Sequence, residues 1–141
     1  MEQMDIPSVL VKGIENMGMP IGSPEAIEAM QNVAKAGNSK DTVLDQFGNT
    51  IFITSMKTNK NKIRIALTSM YNADTPRNMV RNVLEYLKTL KKRRVGLLFF
   101  TMDDENLMPL MRVIGKIYPI QIKKDPNTGS LSAQMKLLGA E

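Results

Sequence analysis

The stretch 62–101 constrains the fold most, because three elements of different period follow one another in it. Residues 62–70 alternate with a period of two, which predicts a strand. Thr75 and Pro76 are typical of the N-cap and first residue of a helix. Apolar side chains then recur at helical spacing: Val80, Val83, Leu84, Leu87 and Leu90. The continuous apolar run VGLLFFT at 95–101 indicates a strand covered on both faces, so a right-handed parallel crossover is predicted.

Two helices and two strands are predicted before this unit. The first helix spans 5–17, and the second begins after Ser23 as N-cap and ends near Gly37. Four apolar residues give the second helix its expected buried stripe: Ile27, Met30, Val33 and Ala34. Strands over 42–47 and 50–57 are joined to each other and to the 62–70 strand by short connections. An antiparallel meander is therefore expected.

A helix and a hairpin are predicted after the buried strand. We place the helix start at Asn106 and its end at Gly115, because Pro109 then lies in the first turn, where its missing N–H breaks no bond. Its core-facing residues are expected to be Leu107, Leu110, Met111 and Ile114. Alternating segments at 117–123 and 130–138 flank a turn that contains Pro126 and Gly129, which predicts a terminal hairpin.

The composition narrows the possible chemistry. A chain of 141 residues with 43% hydrophobic content fits a single domain over 1–141, with 1–22 as a candidate mobile segment. The absence of cysteine and histidine excludes disulfides, thiolate metal sites and a histidine base, and no metal site is predicted. We find no signal sequence or membrane-length apolar run, so a cytoplasmic protein without a membrane partner is expected. The net charge of +5 favours an anionic partner.

The order of these elements resembles the GNAT superfamily of N-acyltransferases over nearly the whole chain. An apolar strand, Asn106 and a helix ending Ile114-Gly115 are similar to a local pattern of the family, and also to short acyltransferase-like internal virion proteins of podophages. The resemblance implies an α+β fold with a mixed, centrally split β-sheet, flanking helices and a C-terminal hairpin. It also implies that acyl-CoA would lie between strands 62–70 and 95–101.

The same resemblance assigns candidate cofactor contacts. The pyrophosphate would meet the amides of Arg77, Asn78 and Met79, with charge from Arg77 and Arg81, and Asn106 would contact pantetheine. The family's phosphate loop, Gln/Arg-x-x-Gly-x-Gly/Ala, has no counterpart here, because residues 72–82 contain no glycine. The alternative is a capped helix start with solvated arginines, and it is favoured for that reason.

Two charged clusters have a functional and a structural interpretation. Three acidic residues follow the buried strand: Asp103, Asp104 and Glu105. They are candidates for a catalytic base, because ligands collect at this end of a strand. The alternative is that they only favour a helix start through its dipole. Five cations near the end of the 76–92 helix form a candidate nucleic-acid patch: Lys88, Lys91, Lys92, Arg93 and Arg94. Their alternative role is to complement the helix dipole, which the lack of interleaved aromatic residues favours.

The departures from the family determine the functional prediction. The expected phosphate-loop glycines are missing, and Val113 stands where many members have a catalytic tyrosine. We therefore predict a non-catalytic, degenerate GNAT-like domain without a cofactor. It would act as a structural or interaction component of an assembly, through self-association or a protein partner, as a phage virion protein. The alternative is an active N-acyltransferase that uses acetyl-CoA or another acyl-CoA.

Overall fold

The computed structural model describes residues 5–16, 20, 22–36, 40–102, 104–124, 126 and 131–137. Four α-helices are present in this part of the chain: α1 (Ile6–Asn16), α2 (Pro24–Ala36), α3 (Pro76–Lys92) and α4 (Asp104–Val113). The strands are β1 (Thr42–Phe47), β2 (Thr50–Thr58), β3 (Arg64–Asn72), β4 (Val95–Met102), β5 (Ile120–Lys124) and β6 (Leu131–Lys136). None of the described helices is long and apolar enough to cross a membrane.

The six strands form one mixed sheet in the order β1-β2-β3-β4-β6-β5. All neighbours are antiparallel except β3 and β4, which are parallel and connected through α3. The predicted meander, parallel crossover, buried central strand and terminal hairpin are therefore confirmed. The α+β fold class is confirmed with them.

The predicted split of the sheet between its two parallel strands stays a prediction, because β4 pairs with β3 almost to its own end. β3 pairs with β2 along its whole length, from Arg64 to Asn72. Its pairing with β4 runs only from Arg64 to Ser69. The last three residues of β3 therefore extend beyond the paired region. This end of β3, which pairs with β2 only, leads directly into the loop before α3.

Two hydrophobic cores lie on opposite faces of the sheet. The larger core packs α3 and α4 against the sheet and includes Tyr86, Leu98 and Leu110. The smaller core packs α1 and α2 against β2 and β3. Val9 and Ile14 of α1 are completely buried in it. The part of residues 1–22 that forms α1 thus packs on the sheet, and the mobility expected for 1–22 stays a prediction.

The predicted buried stripe of α2 is confirmed for Met30 and Val33, which pack against the smaller core, and is wrong for Ile27 and Ala34. Ser23 caps the helix as predicted, because its hydroxyl accepts a hydrogen bond from the Ala26 amide at 3.2 Å. Ala26 and Ala29 are buried, whereas Ile27 is 47% exposed and Ala34 is also exposed. Small side chains on the inner face let a helix lie close to its sheet, and this packing overrides the stripe of larger apolar residues.

The predicted start of α4 is also wrong. The helix begins at Asp104, so Pro109 lies inside it rather than in its first turn. A proline there removes one backbone hydrogen bond. Burial of Leu110 and Ile114 in the larger core offsets that loss. Met111 is exposed rather than buried. A 3₁₀ turn at Ile114–Lys116 stands where the helix was predicted to end at Gly115. The next strand, β5, therefore begins at Ile120 and not at Ile117.

Tyr86 of α3 is the largest fully buried side chain in the described part of the chain. Its ring stacks on Phe52, with centroids 4.0 Å apart and planes 8° from parallel. Its hydroxyl lies 2.5 Å from the Thr54 hydroxyl and 2.6 Å from the Thr68 hydroxyl. Burial raises the pKa of Tyr86 to about 12, although these two hydrogen bonds lower it in part. The neutral phenol is therefore the form that the fold stabilises.

The domain is expected to lose stability at alkaline pH because of Tyr86. Its contribution is complete below the ordinary pKa of 10.0 and is lost as the pH rises through the folded value of about 12. The loss is on the order of 3 kcal/mol. Urea unfolding from neutral pH up to the folded pKa measures it, with Tyr86→Phe as the control. An identical alkaline loss in both proteins would contradict the assignment to Tyr86.

Candidate functional site

The candidate cofactor site is the junction between β3 and α3. Thr75 caps the helix as predicted, because its hydroxyl accepts a hydrogen bond from the Asn78 amide at 3.3 Å. The Met79 amide donates to the Thr75 carbonyl at 2.8 Å. Two of the three amides predicted to hold a pyrophosphate are therefore already hydrogen-bonded within the chain. Arg77 and Arg81 are exposed beside them, as the structural interpretation expected.

Asp74 ties three elements together at this junction. One carboxylate oxygen accepts from the Asn49 amide at 2.8 Å and from the Asn82 side chain at 2.7 Å. The other oxygen accepts from the Asn49 side chain at 3.3 Å. Asn49 lies in the turn between β1 and β2, and Asn82 lies in α3. The loop before α3 is thus fixed to both a neighbouring turn and the helix that it starts.

A second set of hydrogen bonds extends this arrangement into the sheet. The Asn72 side-chain oxygen accepts from the Thr50 hydroxyl at 2.8 Å and from the Asp74 amide at 3.1 Å. The Asn72 side-chain nitrogen donates to the Asp74 carbonyl at 2.9 Å, and that of Asn82 donates to the Thr50 hydroxyl at 2.9 Å. Asn49, Thr50 and Asn72 are all buried. We call Asn49, Thr50, Asn72, Asp74 and Asn82 the junction network.

A glycine leaves room for the junction network. Gly48 has a φ of 56°, which favours glycine over other residues. A Cβ at this position would lie 2.6 Å from the side-chain oxygen of Asn82. The Asn82 amide therefore occupies the space directly above the glycine.

The residues at the junction do not fit the pyrophosphate of acyl-CoA. Met79 is completely buried, so its side chain packs into the larger core. In the alignment that the resemblance implies, Val80 and Asn82 stand at the phosphate-loop positions where the family has glycine or alanine. The Asp74 carboxylate, held against α3 by Asn82, would repel an added anion at the same helix end. The structural interpretation of a capped helix start agrees with this geometry.

The candidate catalytic residues are placed only in part. Asp103 lies outside the described residues. The backbone of Asp104, Glu105 and Asn106 forms the first turn of α4, and their side chains lie outside the described residues. The assignments of a base and of a pantetheine contact to these four residues therefore stay predictions. Within the described part of the chain, no group of three or more acidic residues could hold a metal ion.

The predicted nucleic-acid patch is divided among separate contacts. Lys88 pairs with Glu85 at 3.4 Å, and the Lys91 ammonium donates to the Tyr118 hydroxyl at 3.3 Å. Arg93 makes two hydrogen bonds to Asp45, at 2.8 Å and 3.1 Å, which raise the pKa of Arg93 above its ordinary value. Lys92 and Arg94 remain exposed. The five cations thus do not form one continuous surface of free charge.

Sequence reasoning missed both the junction network and a second group of cations. Arg94 lies near Lys62, Arg64 and Lys136 around one pocket. These residues are far apart in sequence and come from a turn, a helix end and two strands. Only the pairing of β3, β4 and β6 brings them together. Register between distant strands has no local signal in one sequence.

Comparison with known proteins gives a similarity of fold. No protein-family model matches the sequence, and no curated protein is similar to it. Among solved structures, the chain is similar to an aminoglycoside N(6')-acetyltransferase from Legionella pneumophila subsp. pneumophila str. Philadelphia 1. The TM-score is 0.54 at 11% identity, over 96% of this chain and 89% of that chain. This similarity confirms the GNAT-like acetyltransferase fold predicted from the order of elements.

Proposed function

We propose that this GNAT-like domain does not transfer acyl groups and serves as an interaction component of a larger assembly. The resemblance of the sequence to internal virion proteins of podophages makes a phage particle the proposed assembly. The protein would then be found in the host cytoplasm or in the virion. The observation that carries the proposal is the start of α3, where Thr75 caps the Asn78 amide and the junction network holds the Asp74 carboxylate against the helix.

The chemistry of that helix end supports a loss of cofactor binding. A helix N-terminus attracts an anion through amides that have no other partner and through its dipole. Here Thr75 satisfies the Asn78 and Met79 amides, and Asp74 supplies negative charge beside them. A pyrophosphate would have to displace these contacts and sit near a carboxylate.

An exposed apolar surface supports an interaction role. Four large apolar side chains between residues 108 and 117 are 42–55% exposed: Met108, Met111, Val113 and Ile117. They lie on α4 and just after it, on one short stretch of chain. Grouped exposed apolar residues are typical of protein-binding surfaces, and methionine adapts its shape to a partner at low cost. Met108 and Met111, three residues apart, share one side of α4 and form the candidate contact surface.

Active acyl transfer is the second candidate function. The end of β3 beyond its pairing with β4 favours it, because the family places acyl-CoA between the corresponding strands. A solved structure with a similar fold is described as an acetyltransferase. Binding of acetyl-CoA separates the two candidates, since an interaction domain has no need of it. The junction network makes the interaction role the better supported of the two.

The interaction role is tested by mass and by capture. The expected result is that the protein either exceeds its monomer mass of 15.8 kDa in light scattering or captures phage proteins from infected cells. Replacing Met108 and Met111 by serine should abolish that association. A variant with Met30 and Met56 replaced by leucine is the matched control, because both lie in the cores and the apolar volume is kept. A monomer that captures nothing would contradict the proposal.

A further inference from the structure

A basic pocket lies at the end of β3 opposite the junction network. Its volume is about 430 Å³, and it is lined by Lys62, Ile63, Arg64, Arg94, Gly96, Leu97, Gln134 and Lys136. Four of these residues are cationic and none is acidic. All four cationic side chains are exposed. A concave site of this size with one sign of charge concentrates anions.

The sheet register explains why these residues meet. Leu97 of β4 pairs directly with Lys136 of β6, so their side chains share one face of the sheet. The pairing of β3 with β4 shifts by one residue between Arg64 and Ile65, which leaves Gly96 as the extra residue of a bulge. A Cβ at Gly96 would lie 3.0 Å from the Cγ2 of Ile63. The bulge therefore keeps the floor of the pocket open beside Ile63.

Two features hold the cations in place. The Arg64 guanidinium donates to the Arg93 carbonyl at 2.5 Å, which fixes its direction at the end of α3. Lys62 and Arg94 each have a φ of 64°, in the left-handed region that favours glycine. The Asn59 side chain holds the turn that carries Lys62 by accepting from the Asn61 and Ile63 amides. Lys62 and Arg94 therefore stand at two backbone positions that glycine would adopt with less strain.

The floor of the pocket is apolar. Ile63 is 43% exposed, and Leu97 is partly exposed beside it. A phosphate backbone would neutralise the cations but leave this floor in contact with water. None of the described residues that line the pocket is aromatic, so they offer no platform for stacking of nucleic-acid bases. A ligand that carries both carboxylates and an apolar side chain would match both parts.

We propose that this pocket binds an acidic segment of a partner protein. Carboxylates of the segment pair with Arg64, Arg94, Lys62 and Lys136, and an adjacent apolar side chain covers Ile63 and Leu97. Arginine suits this role, because its planar guanidinium can hold a carboxylate through two hydrogen bonds. This inference rests on the proposed interaction role and specifies the chemistry of one partner.

The test is an NMR titration with a blocked hexapeptide of sequence DLEDLE. The expected result is a set of amide shifts confined to residues around the pocket. Replacing Arg64 and Lys136 by serine should weaken binding by roughly tenfold or more, because charge-assisted hydrogen bonds are lost. Replacing Lys12 and Arg112 by serine is the matched control, since both are exposed elsewhere and the net charge falls equally. Unchanged affinity is expected for this control.

A second variant separates binding from folding. Arg94→Gly removes one cation and places glycine at a φ that favours it, so the domain stays folded while peptide affinity falls. Absence of peptide binding at millimolar concentration, or equal losses in the pocket and control variants, would overturn the proposal. Tighter binding of a short oligothymidine at the same residues would overturn it in favour of nucleic acid. Acetyl-CoA binding is measured separately, so failure of the pocket leaves the proposed lack of acyl transfer standing.

Discussion

Replacing Asp74 by alanine is expected to lower the free energy of unfolding by about 2–4 kcal/mol. The substitution removes the carboxylate that accepts hydrogen bonds from the Asn49 amide and from the Asn82 side chain, although Asn82 keeps its hydrogen bond to Thr50. In the described part of the chain, every buried side-chain nitrogen and oxygen has a hydrogen-bond partner. A buried polar group that loses its hydrogen-bond partner costs the full free energy of its desolvation. This cost explains the size of the expected loss of unfolding free energy.

Urea unfolding of the Asp74 variant measures this loss. Glu85→Ala is the matched control, because it removes an exposed carboxylate of α3 whose ion pair with Lys88 is solvated. That control should change the stability by less than about 0.5 kcal/mol. If Asp74→Ala behaves like Glu85→Ala, the junction network does not hold the loop before α3.

Replacing Tyr86 by alanine is expected to have the largest effect, a loss of about 3–5 kcal/mol. The ring is completely enclosed between the sheet and α3 and stacks on Phe52, so its removal opens a cavity in the larger core. Tyr86→Phe keeps the ring and removes only the hydroxyl shared by Thr54 and Thr68. Its expected loss is about 1–3 kcal/mol, from two buried hydroxyls that lose a partner.

The two Tyr86 variants are compared with Tyr118→Phe, measured by the same unfolding transition. Tyr118 is only partly buried, and its hydroxyl contacts the flexible ammonium of Lys91. A change within about 0.5 kcal/mol is expected for it. Equal losses of unfolding free energy for Tyr86→Phe and Tyr118→Phe would contradict this account. They would show that the hydrogen bonds with Thr54 and Thr68 do not make the Tyr86 hydroxyl more stabilising than that of Tyr118.

Local signals in the sequence were sufficient for much of the fold. The α3 helix spans Pro76–Lys92, as the Thr75 cap and the Pro76 position predict. The β1 strand spans the predicted range, and the run VGLLFFT forms the central β4. Helix caps, alternation of polar and apolar residues, and apolar runs are formed by residues that are close in sequence. They can therefore be recognised in a single sequence. The order of elements was then enough to indicate the GNAT-like fold.

Features that depend on contacts between distant segments could not be predicted in this way. The position of Pro109 predicts that α4 begins at Asn106, which is later than its actual start at Asp104. Burial of Leu110 and Ile114 in the larger core outweighs the one backbone hydrogen bond that Pro109 removes. The junction network depends on the pairing of Thr50 with Asn72, which no local pattern specifies. The basic pocket depends in the same way on the register of three strands. Both sites therefore became visible only in the structure.

The central claim is that the N-terminus of α3 is occupied by the protein's own side chains and does not bind acyl-CoA. Titration with acetyl-CoA, followed by calorimetry and by the NMR signals of the Arg77, Asn78 and Met79 amides, tests it most directly. We expect no heat beyond dilution and no shift of these three amides at millimolar acetyl-CoA. Micromolar binding accompanied by shifts of the three amides would contradict the claim and establish the domain as a cofactor-binding acyltransferase candidate.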